Sequence, residues 1–232
     1  LRKLSTKLSS ETGRKIIPIV CDLANPRAVE NLISTIKKDL PSLLAIINNA
    51  AIHGPIGSLW KNDWSLWTEV IQVNLLAPVA LCHALVPLIK ETKGSIINLS
   101  GGGATGPRAN FSAYATAKAG LVRFSETLAE EVKSYDVRVN CIAPGVMKTA
   151  LLSEVIQKGA KISGQREYDI AKKVFAEDDS TMNRVADLVH FLISNESSKI
   201  TGKLISAIWD DWKSWPDHLD ELGNSDAYTL RR

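Results

Sequence analysis

Short apolar runs alternate with longer amphipathic segments along most of the chain. Apolar runs of about four to seven residues are typical of buried strands, and apolar positions three or four residues apart are typical of helices. Strands are predicted over residues 15–21, 43–48, 95–100, 137–142 and 203–208. Helices are predicted over 1–12, 26–40, 63–90 (bent near 74–78) and 112–134, with two or three more after residue 145 that end with 184–194. This alternation predicts an α/β fold with a doubly wound parallel sheet.

The composition narrows the class of protein. Of the 232 residues, 45% are hydrophobic, which is enough for one large domain with a sizeable core. A net charge of +3 without a basic stripe argues against a nucleic-acid partner. No uninterrupted apolar run reaches about eighteen residues, so no membrane partner is expected. Cys21, Cys82 and Cys141 are odd in number and widely spaced, which indicates buried thiols in a reducing, cytoplasmic compartment and no metal site.

One pair of residues carries candidate chemistry. Tyr114 and Lys118 are four residues apart at the start of a predicted helix, so both side chains lie on one helix face. A free tyrosine has a pKa of about 10, and a neighbouring positive charge lowers it. The pair could therefore act as a general acid/base near neutral pH. Alone, Tyr-x-x-x-Lys is a weak signal that many helices carry by chance.

Further segments lie at or near the predicted strand ends, where ligands bind in parallel sheets. They are Asn48-Asn49-Ala50-Ala51, Val73-Asn74-Leu75, Asn98-Leu99-Ser100 and Asn140-Cys141-Ile142-Ala143-Pro144-Gly145. With the Tyr-Lys pair, in this order and spacing, the chain resembles the short-chain dehydrogenase/reductase family over roughly residues 15–206. Ala51 replaces the glycine of the family's Asn-Asn-Ala-Gly motif. The resemblance implies one Rossmann-like domain over 1–208 that forms a homodimer or homotetramer.

The resemblance implies hydride transfer between NAD or NADP and a small-molecule carbonyl or secondary alcohol. Tyr114 would be the acid/base, and Lys118 would lower its pKa and bind the nicotinamide ribose. Ser100 would polarise the substrate oxygen. Asn74 would hold a helix kink and a water that relays protons to Lys118. The bland alternative for Asn74 is an ordinary polar residue within a helix.

The resemblance also implies a set of cofactor-binding residues beside the catalytic pair. They are Asp22, Leu23, Asn48, Ala50, Tyr114, Lys118, Pro144, Gly145, Val146 and Thr149. Asp22 would face the adenine, although it could also only cap a turn. Pro144-Gly145 would shape the nicotinamide side, although these residues stop a strand in any fold. The sequence leaves the choice between NAD and NADP open.

Two departures from the family pattern stand out. The family's serine lies thirteen residues before the tyrosine, and Gly101 occupies that position here, so Ser100 is one residue out of register. The family's first strand and Gly-x-x-x-Gly-x-Gly turn are also missing. A truncation of roughly 35 to 45 residues is therefore expected, and with it a fragment that is much less stable than a full-length version. The stretch 101–106 fits Gly-x-Gly-x-x-Gly, but Pro107 follows and no helix opens there, so it is interpreted as the floor of the substrate site.

The remaining features leave alternatives open. The tail over 209–232 could form a lid or a subunit contact, with the subunit contact preferred because aromatic residues are enriched at interfaces. His53 is either structural or a substrate contact. A catalytically inactive binding or regulatory subunit is the second functional hypothesis. An epimerase or dehydratase uses the same Tyr-Lys pair, but it usually needs a C-terminal substrate domain for which the chain has little room.

Overall fold

A computed structural model describes residues 1–177 and 180–230. Four parallel strands form one sheet in the order β1-β2-β3-β4, namely β1 (Ala45–Asn48), β2 (Ser95–Leu99), β3 (Arg138–Ala143) and β4 (Leu204–Ser206). The helices are α1 (Arg2–Thr12), α2 (Pro26–Asp39), α3 (Trp64–Ile71), α4 (Ala77–Lys90), α5 (Ser112–Val132), α6 (Ala150–Lys158), α7 (Ala160–Ser163), α8 (Gln165–Ala176), α9 (Thr181–Ile193) and α10 (Leu219–Gly223). The predicted parallel α/β fold is therefore confirmed.

Helices cover both faces of the sheet, which explains why its central strands are continuous apolar runs. Every residue of β2 is buried. Ile96 packs in a cluster with residues of α4 and α5, including Ile89 and Leu128. Its neighbour Ile97 points to the other face and packs in a cluster with Leu188 of α9. Two cores thus hold the strands, and the ends of β2 and β3 are fixed in position.

The predicted bend in the long helix over 63–90 is confirmed as a π-helical turn. Residues Gln72–Leu76 form this turn between α3 and α4, and Asn74 lies at its centre. Such turns occur often at functional sites, because the extra residue moves one side chain out of the helical register. By length and composition, the combined helix Trp64–Lys90 could cross a membrane. That is weak evidence here, because the helix contributes residues to the core against α5 and the sheet.

The strand predicted over 15–21 is wrong. Residues 13–20 have no regular secondary structure and are exposed, with Val20 at 85%. Pro18 lies in the middle of the run and lacks the N–H that a central strand must donate. Among the described strands, β1 pairs only with β2, and no backbone pairing joins residues 15–21 to either. Apolar composition alone therefore does not make a strand, because a strand also needs a partner for its backbone.

The C-terminal tail packs on its own chain. Trp212 and Trp215 are buried against Phe191 of α9 and Tyr228. The Leu204 N–H donates to the Tyr228 carbonyl at 2.7 Å, so the tail also covers the outer edge of β4. Trp209, at 86% exposure, is the exception. The tail thus completes the hydrophobic cluster on the α9 face of the sheet.

Candidate active site

Tyr114 and Lys118 lie on the buried face of α5, next to the carboxyl end of β2. The Lys118 Nζ donates to the carbonyl of Leu99, the last residue of β2, at 2.6 Å. Its Nζ is 5.7 Å from the centroid of the Tyr114 ring. Both side chains are buried. The structure therefore brings together the two residues whose spacing predicted an acid/base pair.

The electrostatics of this pair differ from the sequence-based expectation. Burial lowers the pKa of Lys118 to about 8, because desolvation disfavours the ammonium. Burial also raises the pKa of Tyr114, and the positive charge that opposes this rise belongs to Arg108. The net shift of the Tyr114 pKa is thus upward, and its lowering by Lys118 stays a prediction. Arg108 carried no spacing signal in the sequence, so pattern reasoning missed it.

Gly101 and Ser100 occupy the loop that faces the tyrosine. A Cβ built on Gly101 would lie 2.3 Å from Tyr114 Oη, so the phenol oxygen sits directly against this glycine. A serine at position 101 would overlap with the phenol. Ser100 is buried, and its Oγ has no hydrogen-bond partner among the described residues. A buried hydroxyl without a partner is costly, which is consistent with a group that awaits a ligand.

Asn74 ties the π-helical turn to the loop after β1. Its Oδ1 accepts from the Ile52 N–H at 2.9 Å, and its Nδ2 donates to the Ile52 carbonyl at 2.8 Å. The side chain is fully buried. The role of Asn74 in holding a helix kink thus has a direct structural counterpart, whereas its role in a proton relay stays a prediction.

Two of the side chains predicted to contact the adenine end, those of Asn48 and Asp22, have other partners. Asn48 Nδ2 donates to Asn98 Oδ1 at 2.7 Å, within a buried network that continues to Ser125. Asp22 Oδ1 accepts from the Ala24 N–H at 3.0 Å, so Asp22 caps its own turn, as the bland alternative proposed. The Leu23 carbonyl accepts from Gln72 Nε2 at 3.5 Å. Ala50 is exposed after β1.

The residues predicted for the nicotinamide side follow β3. Pro144 is buried, and Gly145 has a φ of +79°, a conformation that favours glycine. A Cβ at Gly145 would lie 2.8 Å from the Ile208 side chain, so this turn packs closely on the segment after β4. Val146 is exposed, and the Thr149 Oγ1 accepts from the Leu152 N–H at 3.4 Å as the N-cap of α6.

His53 is buried beside the tyrosine. Its ring centroid is 5.0 Å from that of Tyr114 and 5.4 Å from that of Phe111, both in edge-to-face contact. The Nδ1 is 3.5 Å from Glu154 Oε2 but makes no hydrogen bond to the described residues. Burial, reinforced by the charge of Arg108, lowers the pKa of His53 to about 4. The imidazole is therefore neutral at physiological pH.

This burial predicts an acid-sensitive contribution to stability. The folded-state pKa of His53 is about 4, below its ordinary value of 6.5, so the unfolded chain binds more protons between these values. Stability is therefore lost as the pH falls through this window. Through this group, the free energy of unfolding should fall by about 2 kcal/mol from pH 7 to pH 5. Urea denaturation of the parent and of His53→Gln at both pH values measures it. The control is His83→Gln at an exposed position, and an undiminished pH effect in His53→Gln would contradict the prediction.

The parallel sheet and the buried Tyr-Lys pair at its carboxyl edge define the class of Rossmann-like oxidoreductases. Residues 1–207 match the family model described as enoyl-(acyl carrier protein) reductase. The chain belongs to the short-chain dehydrogenase/reductase family, and it is an NAD(P)-dependent oxidoreductase of that family. The resemblance inferred from the motifs is thereby confirmed.

The chain is similar to relatives with varied names. It is 32% identical over 200 residues to a 3-oxoacyl-(acyl-carrier-protein) reductase of Chlamydia muridarum, covering 86% of this chain and 77% of the relative. It is 28% identical over 194 residues to human dehydrogenase/reductase SDR family member 4, covering 83% and 68%. Among solved structures, a short-chain dehydrogenase of Escherichia coli CFT073 complexed with NADPH has a TM-score of 0.72 at 26% identity, covering 89% and 81%. A Shigella flexneri counterpart complexed with NADP has a TM-score of 0.71 at 25% identity, covering 89% and 81%.

The residues around the pair fit the nicotinamide end of such a cofactor. The Lys118 ammonium uses one donor on Leu99 and has two more. The unpartnered Ser100 hydroxyl and the close turn at Gly145 border the same edge of the sheet. These groups could hold a ribose and a carboxamide without rearrangement of the core.

Proposed function

We propose that Tyr114 is the general acid/base in the interconversion of a ketone and a secondary alcohol. One observation carries the proposal, namely that the Tyr114 phenol is buried at the end of β2. Its oxygen lies against Gly101, and the Lys118 ammonium lies near its ring. A phenol in this setting can donate a proton to a carbonyl oxygen as it becomes an alkoxide. The bound nicotinamide supplies or accepts the hydride.

The chain's own residues then divide the remaining work. Ser100 donates its unpartnered hydroxyl to the substrate oxygen and polarises it. Lys118 binds the ribose and stabilises the phenolate after proton transfer. Asn74 fixes the π-helical turn behind the site. It would also hold the water that relays protons to Lys118. The buried setting keeps bulk water from the phenol.

The cofactor contacts predicted from the sequence remain part of the proposal. The backbone around Asn48 and Ala50 would line the adenine ribose, because the Asn48 side chain is engaged in the core. Asp22 and Leu23 would approach the adenine. The nicotinamide would be bordered by Pro144, Gly145, Val146 and Thr149. NADP is favoured over NAD only by the relatives whose structures contain it.

A fluorescence titration tests cofactor binding. NADH and NADPH are titrated into the chain, and energy transfer from its six tryptophans is recorded. Saturable quenching by one nucleotide is expected, with the tighter one identifying the cofactor. Turnover is then followed with a panel of ketones that includes a 3-oxoacyl thioester, the class named in the Chlamydia relative. No binding by a folded sample would contradict the proposal.

A second candidate is a family member that binds the nucleotide without catalysis. The observation that favours it is Gly101, which stands at the position of the family's serine and leaves no room for a side chain there. Saturable NADPH binding without turnover of any ketone would support this alternative. The presence of Tyr114, Lys118 and Asn74, each of them buried, argues for the enzyme.

Assembly and compartment extend the proposal. A homodimer or homotetramer acting in the cytoplasm fits a domain over 1–208 with a tail over 209–232. Exposed Trp209 could supply a subunit contact. Cys82 and Cys141 are buried free thiols, which suits a reducing compartment. Light scattering of the purified chain would measure its oligomeric state.

A further inference from the structure

Arg108 forms an ion pair that joins the glycine-rich loop (residues 100–111, between β2 and α5) to α8. Its Nε and Nη2 donate to Glu167 Oε2 at 3.0 and 2.8 Å. The two side chains are only 14% and 25% exposed. Glu167 lies in the first turn of α8, where a carboxylate is also favoured by the helix dipole. The pair is therefore better shielded from solvent than an ordinary surface salt bridge.

The guanidinium of Arg108 is packed against the aromatic rings of the site. Its central carbon is 3.8 Å from the centroid of the Phe111 ring and 5.6 Å from that of Tyr114. On the loop side, a Cβ built on Gly103 would come within 3.2 Å of Arg108 Cβ. The side chain is thus held by the loop, by Phe111 and by Glu167. Of these contacts, only Glu167 belongs to the helices after β3.

Charged and titratable groups face the phenol from several of the elements packed around it. Lys118 approaches from α5, and Arg108 approaches from the glycine-rich loop. His53 faces the ring from the loop after β1, with Glu154 of α6 behind it. Arg108 lowers the pKa of Tyr114 against the effect of burial. Burial lowers the pKa of Lys118 to about 8.

We propose that Arg108 is a positioning residue for the catalytic tyrosine, and that Glu167 of α8 holds its positive charge against the Tyr114 ring. The proposal rests on the proposed function of Tyr114. α6 and α8 pack over Phe111 and Tyr114 through Leu152 and Ala171. Docking of this helical segment and the acidity of the phenol are therefore coupled, because separation of α8 from the loop would release the guanidinium.

The test measures the phenol directly. Tyrosine labelled with ¹³C at Cζ is incorporated into the full chain, which has four tyrosines, and the Tyr114 signal is assigned as the one lost in Tyr114→Phe. In Arg108→Met the titration midpoint of Tyr114 should move to higher pH, and in Arg108→Lys it should move less. In Glu167→Ala it should also move to higher pH. Loss of a carboxylate alone would move it to lower pH, so this variant separates a holding role from a direct charge effect.

Arg123→Met is the matched control. Arg123 also pairs with a glutamate, Glu126, on the same helix as Tyr114 but nine residues further along, roughly 13 Å down its axis. Arg123→Met should leave the titration midpoint of Tyr114 unchanged. An unchanged midpoint in Arg108→Met, or a lower one in Glu167→Ala, overturns the proposal. If Arg108→Met does not fold, the titration midpoints of Tyr114 in Arg108→Lys and Glu167→Ala decide the test. The titration needs no substrate or cofactor, so its outcome is independent of whether Tyr114 is catalytic. Turnover of Tyr114→Phe decides that separate question.

Discussion

Tyr114→Phe should reduce turnover by about a thousandfold while leaving nicotinamide nucleotide binding unchanged. The substitution removes only the phenol oxygen, which lies against Gly101 and is the proposed proton donor. The ring keeps its contacts with His53 and with the apolar cluster of Phe111 and Leu152, so the fold should be retained. Oxidation of NADPH at saturating ketone measures turnover, and tryptophan energy transfer measures nucleotide binding.

Tyr135→Phe is a suitable control for this experiment. Tyr135 is also paired with a lysine, since Lys90 Nζ is 3.4 Å from its ring centroid. Tyr135 is exposed, however, and Lys90 precedes the amino end of β2, opposite the end that carries the site. Tyr135→Phe should retain full activity. Retained turnover in Tyr114→Phe would show that another group supplies the proton, whereas loss of both turnover and nucleotide binding would point to a structural role.

The fold was predictable from the sequence where local pattern and tertiary setting agree. The buried runs of β2 and β3 are bounded by helices on both sides, and the predicted strands match the observed ones within two residues at each end. The segment over 15–21 has a similar composition and was predicted wrongly. Apolar residues indicate that a segment could be buried. The backbone pairing that makes it a strand depends on whether a neighbouring strand lies beside it.

The site was predictable only in part, for a related reason. The Tyr-Lys spacing follows from helix periodicity, so their shared face could be inferred from the sequence alone. Arg108 reaches the same ring across a loop, from which no periodicity can be read. Its contact with Glu167, 59 residues away, is set by how α8 docks. The direction of the pKa shift of Tyr114 likewise depends on burial, which the spacing does not report.

Gly101→Ala should reduce turnover by about a hundredfold and lower the free energy of unfolding by about 1–3 kcal/mol. The added Cβ would lie 2.3 Å from Tyr114 Oη and 2.9 Å from its Cε1 and Cζ, well inside contact distance. Either the phenol or the loop must move, and the ring has little freedom because it is packed by His53, Phe111 and α6. A displacement of about 1 Å is enough to remove much of a catalytic effect. Turnover and urea denaturation measure the two expectations.

Gly106→Ala, in the same loop, separates this contact from a general loss of loop flexibility. A Cβ at Gly106 would meet nothing within 4 Å, so both activity and stability should be retained. Full activity in Gly101→Ala would mean that the phenol oxygen does not lie against Gly101. Higher activity in Gly101→Ser would mean that a hydroxyl is useful at the family's serine position, and that Ser100 does not supply it. Loss of activity in both Gly101→Ala and Gly101→Ser, with full activity in Gly106→Ala, would mean that the contact of position 101 with Tyr114 requires a glycine. Ser100 would then be the hydroxyl nearest in sequence that can polarise the substrate.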